Sequence, residues 1–493
     1  MTNPPTTETD DVRQALAAAP PDLTPYIDGD HVPSRSSEEL ASVNPATETT
    51  LWHLPAGHPE DVDAAVASAL GAFHDTHWAH DRDLRVSCLL ELATLIEDYA
   101  DRIALLDTLE IGIPIDVTRA DVALATAFIR DTVAMLPAVD DDVFAPARRV
   151  PRGVIAVVAP WNFPFFVALT KTVPCLAVGN TVVLKPSELA SASANLLAEL
   201  ATQAGVPDGV LNVVVGLGNV VGDALVRHRD IGQVNLTGSV TTGRAVLAGA
   251  AAGGLAPVLT ELGGKSAHVV GEHAPDLDVV ADAVAADIFW CAGQVCSSGS
   301  RLIVHERHHD ELVDLLVSRV ASWTPGDPTG TGVQAGPLGS EQHLRRVEVM
   351  VDAASSAGAR IVTGGAPGPR PGFYYPPTIV IDVEPDLELF TEEVFGPVLA
   401  VTRCTSTAHG IELANATSYG LVATGWSTDD AEIDRLADCL RAAWVTVNPH
   451  LDPPSDPRAG AESVGWSGSG VEGGLPTLRA ATRMSVVAVG RPD

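Results

Sequence analysis

The sequence predicts an α/β protein of two doubly wound, mainly parallel-sheet domains, and three observations carry that expectation. At 493 residues the chain exceeds the size at which a single hydrophobic core stops growing. Short β-branched runs alternate with helical stretches, as a parallel sheet with crossover helices requires. The alternation then restarts after about residue 262, which calls for a second sheet.

Taken in order, residues 1 to 20 are rich in Pro, Thr and Asp and read as a flexible arm. Helical periodicity begins at Val62 in DVDAAVASALGAF and continues around residues 89 to 106 and 122 to 135. GVIAVVAP, residues 153 to 160, is an unbroken apolar run closed by Pro, the pattern of a strand buried on both faces. Strand-like runs follow at 181 to 184, 210 to 215, 233 to 236 and 267 to 270. HVV, RLIVHE, ARIVTGG, PTIVIDV and VLAVTRC form the second set, with helices such as HDELVDLLVSRVASW and EQHLRRVEVMVDAASSAG between them. VVGLGNVVG, residues 214 to 222, has the glycines of a phosphate loop without the spacing and reads as a connection.

Composition excludes several classes of function. With 63 acidic against 30 basic side chains the formal charge is -33, which repels nucleic acid and anionic membrane surfaces. No apolar run reaches the roughly 18 residues of a membrane span, and MTNPPTTETDD lacks the basic start and apolar stretch of a signal peptide, so the cytoplasm is the expected compartment. Six cysteines without CxxC or Cys/His spacing fit reduced thiols, with no metal site.

Lysine occurs only at Lys171, Lys185 and Lys265, where arginine supplies the rest of the basic charge. A compact amine and a planar guanidinium are not interchangeable where one amine must reach one oxygen. Around these lysines stand PWNFP (160 to 164), AVGNTVVLKPSE (177 to 188) and TELGGKS (260 to 266), followed by FWCAGQVC (289 to 296) and EEVFGP (392 to 397). In this order and spacing the five segments resemble the aldehyde dehydrogenase superfamily, and weaker matches such as YIDGDHV, GPLGSEQ and YGLVATGW extend the likeness from about Tyr26 to the C-terminus.

The resemblance implies an aldehyde dehydrogenase-like fold: a flexible arm over 1–20, a dinucleotide-binding domain over 21–128 and 152–262, a catalytic domain over 263–463, and a small oligomerisation hairpin from 129–151 and 476–493. It implies hydrolytic oxidation of an aldehyde through a thioester on Cys296, a thiolate being the best side-chain nucleophile near neutral pH. Cys291, five residues upstream, is the rival thiol and reads as a packing residue or redox partner. By the same resemblance Asn162 is the oxyanion donor, Glu261 the base that activates water, and Lys171 with Glu472 a proton path to it.

For the cofactor it implies NAD rather than NADP. Lys185 and Glu188 would hold the adenosine ribose, with Ser187 beside them, and the carboxylate would repel a 2'-phosphate. Thr237, Gly238, Ser239 and Gly243 form the turn and helix start for the pyrophosphate. Pro160, Trp161 and Leu262 pack nearby, and Glu393 and Phe395 hold the nicotinamide ribose and ring. The sequence departs from the family pattern at RAGAESVGW, residues 458 to 466, where Pro-Phe-Gly-Gly-x-Lys is usual, and at Val471, where an Arg precedes the Glu. Thr170 is neither the Arg expected for a semialdehyde carboxylate nor the Trp of enzymes for aromatic or cationic aldehydes, so an apolar aldehyde pocket walled by Phe165, Phe166 and Trp290 is expected. The segment 136–153 is short and acidic for the hairpin, leaving homodimer and homotetramer both open. Two other functions stay open: CoA-acylating semialdehyde oxidation, against which Glu261 argues, and a nucleotide-binding member without turnover.

Overall fold

The computed structural model describes residues 8–321, 323, 325–451 and 456–489. Two mixed sheets organise it. In the first, strands run in the order Gly468–Ser469, Val258–Glu261, Ile231–Thr237, Val154–Val158, Thr181–Lys185, Leu211–Val213, Tyr26–Ile27 and Asp30–His31. The five central strands are parallel, and the edges are antiparallel. Val154–Val158 is uniformly buried because both of its faces are covered: Ile155 and Val157 join one apolar cluster, and Val154, Ala156 and Val158 join the other. An unbroken apolar run is what a doubly covered strand needs.

From Val154–Val158 the chain steps outward to Thr181–Lys185 and Leu211–Val213, then returns to the other side at Ile231–Thr237 and Val258–Glu261. That reversal opens a crevice at the carboxyl ends of two adjacent strands, where ligands of open α/β sheets bind. PWNFP leaves one of these strands and Thr237-Gly238-Ser239 the other.

The second sheet runs Arg360–Thr363, Thr378–Ile381, Val398–Cys404, Arg301–His305, Ala267–Val270, Val422–Trp426 and Trp444–Val447. It is parallel except for its first strand. Two further apolar clusters cover its faces, with Ile303 in one and Leu302 and Val304 in the other.

The structure revises two sequence expectations. Residues 1–20 are not an arm throughout: Glu8–Ala18 is a helix whose Leu16 is buried in the first domain's core. A lone leucine among alanines gave no periodicity to read. Residues 1–7 lie outside the described residues. The expected domain boundary at 128 falls inside the single helix Ile115–Met135, whose Ile129 and Thr132 are buried. The segments 129–151 and 476–493, expected together, contribute the two strands of one ribbon, Ala147–Pro151 against Thr482–Val486, in antiparallel register from Pro151↔Thr482 to Ala147↔Val486.

One fully buried side chain joins this ribbon to the first sheet. Asn180 accepts hydrogen bonds on Oδ1 from the N–H of Arg152 (2.7 Å) and Gly153 (3.2 Å), and its Nδ2 donates to the carbonyls of Cys175 (3.0 Å) and Ala481 (2.9 Å). Asn180→Ala would strand all four partners, and such groups cost about 1–3 kcal/mol each when left unpaired. We expect the melting temperature of Asn180→Ala to fall by roughly 5 °C or more in a calorimetric scan, where an exposed asparagine such as Asn219 substituted in the same way changes it little.

Candidate active site

The nucleophile candidate is delivered by a tight loop. Cys291 and Ala292 are left-handed (φ 51° and 54°), and Gly293 follows at φ 67°. A Cβ on Gly293 would lie 2.2 Å from the Gly396 carbonyl, so only glycine fits. Gln294 staples the loop: its Nε2 donates to the carbonyls of Cys291 (3.2 Å) and Pro337 (3.3 Å), and its Oε1 accepts from Gly339 N–H (2.8 Å). Beyond Cys296, Asp287 Oδ2 accepts from Gly299 N–H at 2.9 Å and sits 2.9 Å from His268 Nε2. His268 Nδ1 accepts from Trp426 Nε1–H at 3.2 Å, which leaves Nε2 to carry the proton toward Asp287. Both flanks of Cys296 are therefore fixed.

Asn162 lies beside this loop, donating from Nδ2 to the Gln294 carbonyl at 2.9 Å. The second hydrogen of the amide remains for an oxygen in the cleft. The helix that follows, Pro164–Ala177, has no side-chain cap of its own at Phe163. Buried Asp107, pushed up to about 7 by desolvation, instead accepts from Phe165 N–H at 3.1 Å and holds the helix start from a neighbouring helix.

One cleft of about 330 Å³ gathers most of the expected cofactor residues: Pro160, Trp161, Lys185, Ser187, Glu188, Gly238, Ser239, Leu262, Glu393 and Phe395, together with Asn162 and Cys296. At one end Lys185 Nζ donates to Glu188 Oε2 at 3.0 Å; burial lowers the lysine's pKa, and the carboxylate opposes that. Midway, Ser239 caps the helix Val240–Ala252 by accepting from Thr242 N–H at 3.1 Å, and the helix start faces the cleft. At the other end Glu393 Oε1 accepts from Gly264 N–H at 3.0 Å, and burial pushes its carboxyl up to about 7.

Gly243 does not line the cleft. A Cβ there would meet Leu262 at 2.6 Å, so its smallness serves the packing of helix on strand. Glu261, Lys171 and Glu472 line a smaller adjoining cavity instead, where Lys171 Nζ is hydrogen-bonded to Glu472 Oε2 and Ser463 Oγ donates to Glu261 Oε2 at 3.0 Å. Burial first, and the nearby Glu472 second, push the Glu261 carboxyl up to about 7. Burial, with the carboxylates of Glu393, Glu261 and Glu472, pushes the Cys296 thiol up to about 12.

Phe165 is corrected as a pocket wall. It is buried in the domain core, whereas Phe163 stacks on Trp290 with centroids 5.6 Å apart. Phe166 and Val167 pack beside them around buried Cys291, Ile111 and Ile113. The sequence reading also missed several cleft residues, three of them polar or from unexpected segments. Gly218 comes from the segment taken as a connection, and His343 and Arg346 share one face of the helix Glu341–Ser356. His343 Nε2 is 2.6 Å from the Phe395 carbonyl, its pKa lowered to about 4 by burial, and Arg346 donates to the Glu393 carbonyl at 2.8 Å. Their i, i+3 spacing was the signal, hidden beside the core positions Leu344, Val347 and Met350 of the same helix.

Among the described residues no helix is long and apolar enough to cross a membrane, and no group of three metal-ligating side chains occurs. All six cysteines are free.

The model of the aldehyde dehydrogenase family matches residues 31–487. Among curated relatives, the NADP/NAD-dependent aldehyde dehydrogenase PuuC of Escherichia coli is 37% identical over 471 residues, covering 94% of each chain. A phenylacetaldehyde dehydrogenase of Pseudomonas fluorescens is 38% identical over 482 residues, covering 94% of this chain and 95% of its own. Among solved structures, a mutant of the P. syringae indole-3-acetaldehyde dehydrogenase in complex with NAD+ and IAA superposes with a TM-score of 0.92 at 32% identity, covering 97% of this chain and 99% of that one. The aldehyde dehydrogenase KauB from Pseudomonas aeruginosa gives 0.93 at 31%, with the same coverage. A nicotinamide-sized cleft ending at a fixed cysteine thus has its counterpart in the whole-chain likeness, and the chain belongs to the aldehyde dehydrogenase family.

Proposed function

We propose that this NAD-dependent aldehyde dehydrogenase forms its thioester on Cys296, with Asn162 as oxyanion donor and Glu261 as the base that hydrolyses it. The observation that carries this reading is the single cleft running from the Lys185–Glu188 pair past a helix start to Cys296, with Glu261 in the cavity next door. A thiol held up to about 12 is protonated at rest, so it gives its proton to solvent water as sulfur attacks the aldehyde carbon. The amide of Asn162 is placed to receive the resulting oxyanion. Bound in the cleft, NAD supplies the hydride acceptor and a positively charged ring. Glu261, at about 7, then takes a proton from water as the oxygen attacks the thioester carbon and the C–S bond breaks. Lys171 and Glu472, linked to each other beside Glu261, pass that proton on.

Glu188, at the far end of the cleft, favours NAD over NADP because its charge opposes a 2'-phosphate. Phe163, Phe166, Val167 and Trp290 make the aldehyde side mainly apolar, with Asp121, pushed up to about 7 by burial, as its acidic member near Cys291. An apolar aldehyde fits this wall. The free cysteines agree with a cytoplasmic location. For assembly, the ribbon leaves Phe144, Met484, Val486, Val487 and Val489 exposed along one part of the surface, which supports a homo-oligomer built through it.

Absorbance of the reduced nicotinamide with NAD and a panel of apolar aldehydes tests the assignment. Cys296→Ala should give no hydride transfer at all. Glu261→Gln should still give one turnover's burst, while steady turnover falls by roughly 10²–10⁴-fold and added CoA does not restore it. Alkylation of Cys296 by iodoacetamide in the cofactor-free protein should rise about tenfold per pH unit with no plateau below about pH 10; a plateau near neutrality would show a preformed thiolate. The pair Met484→Asp and Val486→Asp should lower the mass found by light scattering while NAD binding persists, and an unchanged mass would remove the ribbon from the interface.

A further inference from the structure

The segment that departs most from the family pattern is the one that holds the base. Ala461–Glu462 pairs antiparallel with Val471–Glu472, and Gly468–Ser469 pairs with Thr260–Glu261, so residues 461–472 form a strap laid along the end of the Glu261 strand. Ser467 fastens its middle. The Ser467 hydroxyl donates to the Gly263 carbonyl (2.9 Å) and accepts from Gly420 N–H (3.0 Å), and its carbonyl accepts from Leu262 N–H (2.8 Å). Ser463 is 7% exposed, and its hydroxyl reaches Glu261 Oε2 at 3.0 Å. Glu261 consequently lines the cavity shared with Lys171, Ser469 and Glu472 and not the cleft that contains Cys296.

We propose that Ser463 is a positioning residue for the general base: its hydroxyl holds the Glu261 carboxylate in the side cavity beside Lys171 and Glu472, the pair that passes its proton on. The proposal rests on the reading of Glu261 as the base. Two charged groups bear on Glu261: Glu472 from the strap and Lys171 from the helix Pro164–Ala177; the neutral Cys296 thiol feels Glu393, Glu261 and Glu472 in turn. Burial and Glu472 favour the neutral acid; Lys171 and the Ser463 hydroxyl favour the carboxylate. Ser463 therefore fixes where the carboxylate lies and also helps to keep it ionised. Its removal leaves burial and Glu472 less opposed, which moves the titration of Glu261 upward.

The experiment compares the full-length chain with Ser463→Ala and Ser463→Thr by rapid mixing with aldehyde and NAD. The hydride burst is read by absorbance, and the emptying of the acyl-enzyme is read by quench and mass spectrometry between about pH 6 and 9. For Ser463→Ala the rising limb of deacylation should move up by about half a unit to one unit, a three- to tenfold loss on its acid side, with the burst unchanged. Ser463→Thr, which keeps the hydroxyl, should restore the limb. Superimposable deacylation profiles overturn the role of Ser463 alone, as does an equal loss in the Ala and Thr variants, which would mark a packing effect. A wild-type chain with a burst but no pH-dependent deacylation overturns the assignment of Glu261 and the role of Ser463 with it.

Discussion

No side chain fits at Gly263 or Gly264, and the active site depends on that constraint. These residues join the Glu261 strand of the first sheet to the Ala267–Val270 strand of the second. A Cβ on Gly263 would lie 2.1 Å from the Glu393 carboxylate, and one on Gly264 would lie 2.3 Å from the Cys296 carbonyl. Because nothing projects there, the first domain brings the base, the second brings the nucleophile and Glu393, and the three meet at backbone distance.

The same closeness sets the electrostatics. Glu261, Glu393 and Glu472 surround one thiol in a buried region, and their charges together with desolvation keep that thiol protonated and the two buried glutamates near neutrality. A site so acidic cannot hold a resting thiolate, so reactivity waits until a cation or a proton acceptor arrives. Protection of the cysteine before substrate binds follows from burial first and from these charges second.

What could be read beforehand was what repeats a local rule. The strands showed because a doubly covered parallel strand is apolar at every position, as in Val154–Val158, and the cleft showed because its residues stand in short segments with fixed partners in sequence. What stayed hidden depends on contacts far apart in the chain. Asp107 caps a helix that starts 58 positions later, and His343 and Arg346 meet the cleft from a helix that reads as scaffold. Ser463 falls where the family pattern is broken, so resemblance said nothing of it, and its contact with Glu261 spans 202 positions.

The lysines carry a last consequence. All three are buried: Lys171 against Glu472, Lys185 against Glu188, and Lys265 at 1% exposure. Every other basic side chain apart from histidine is arginine. An aldehyde condenses with a neutral primary amine to give an imine, and the guanidinium, protonated throughout the physiological range, is a far poorer partner. A protein that works in the presence of free aldehyde, yet exposes no lysine amine to it, is chemically hardened against its own reactants: adducts are left with the α-amino group, while the amines the cleft needs stay shielded by packing and by their carboxylate neighbours.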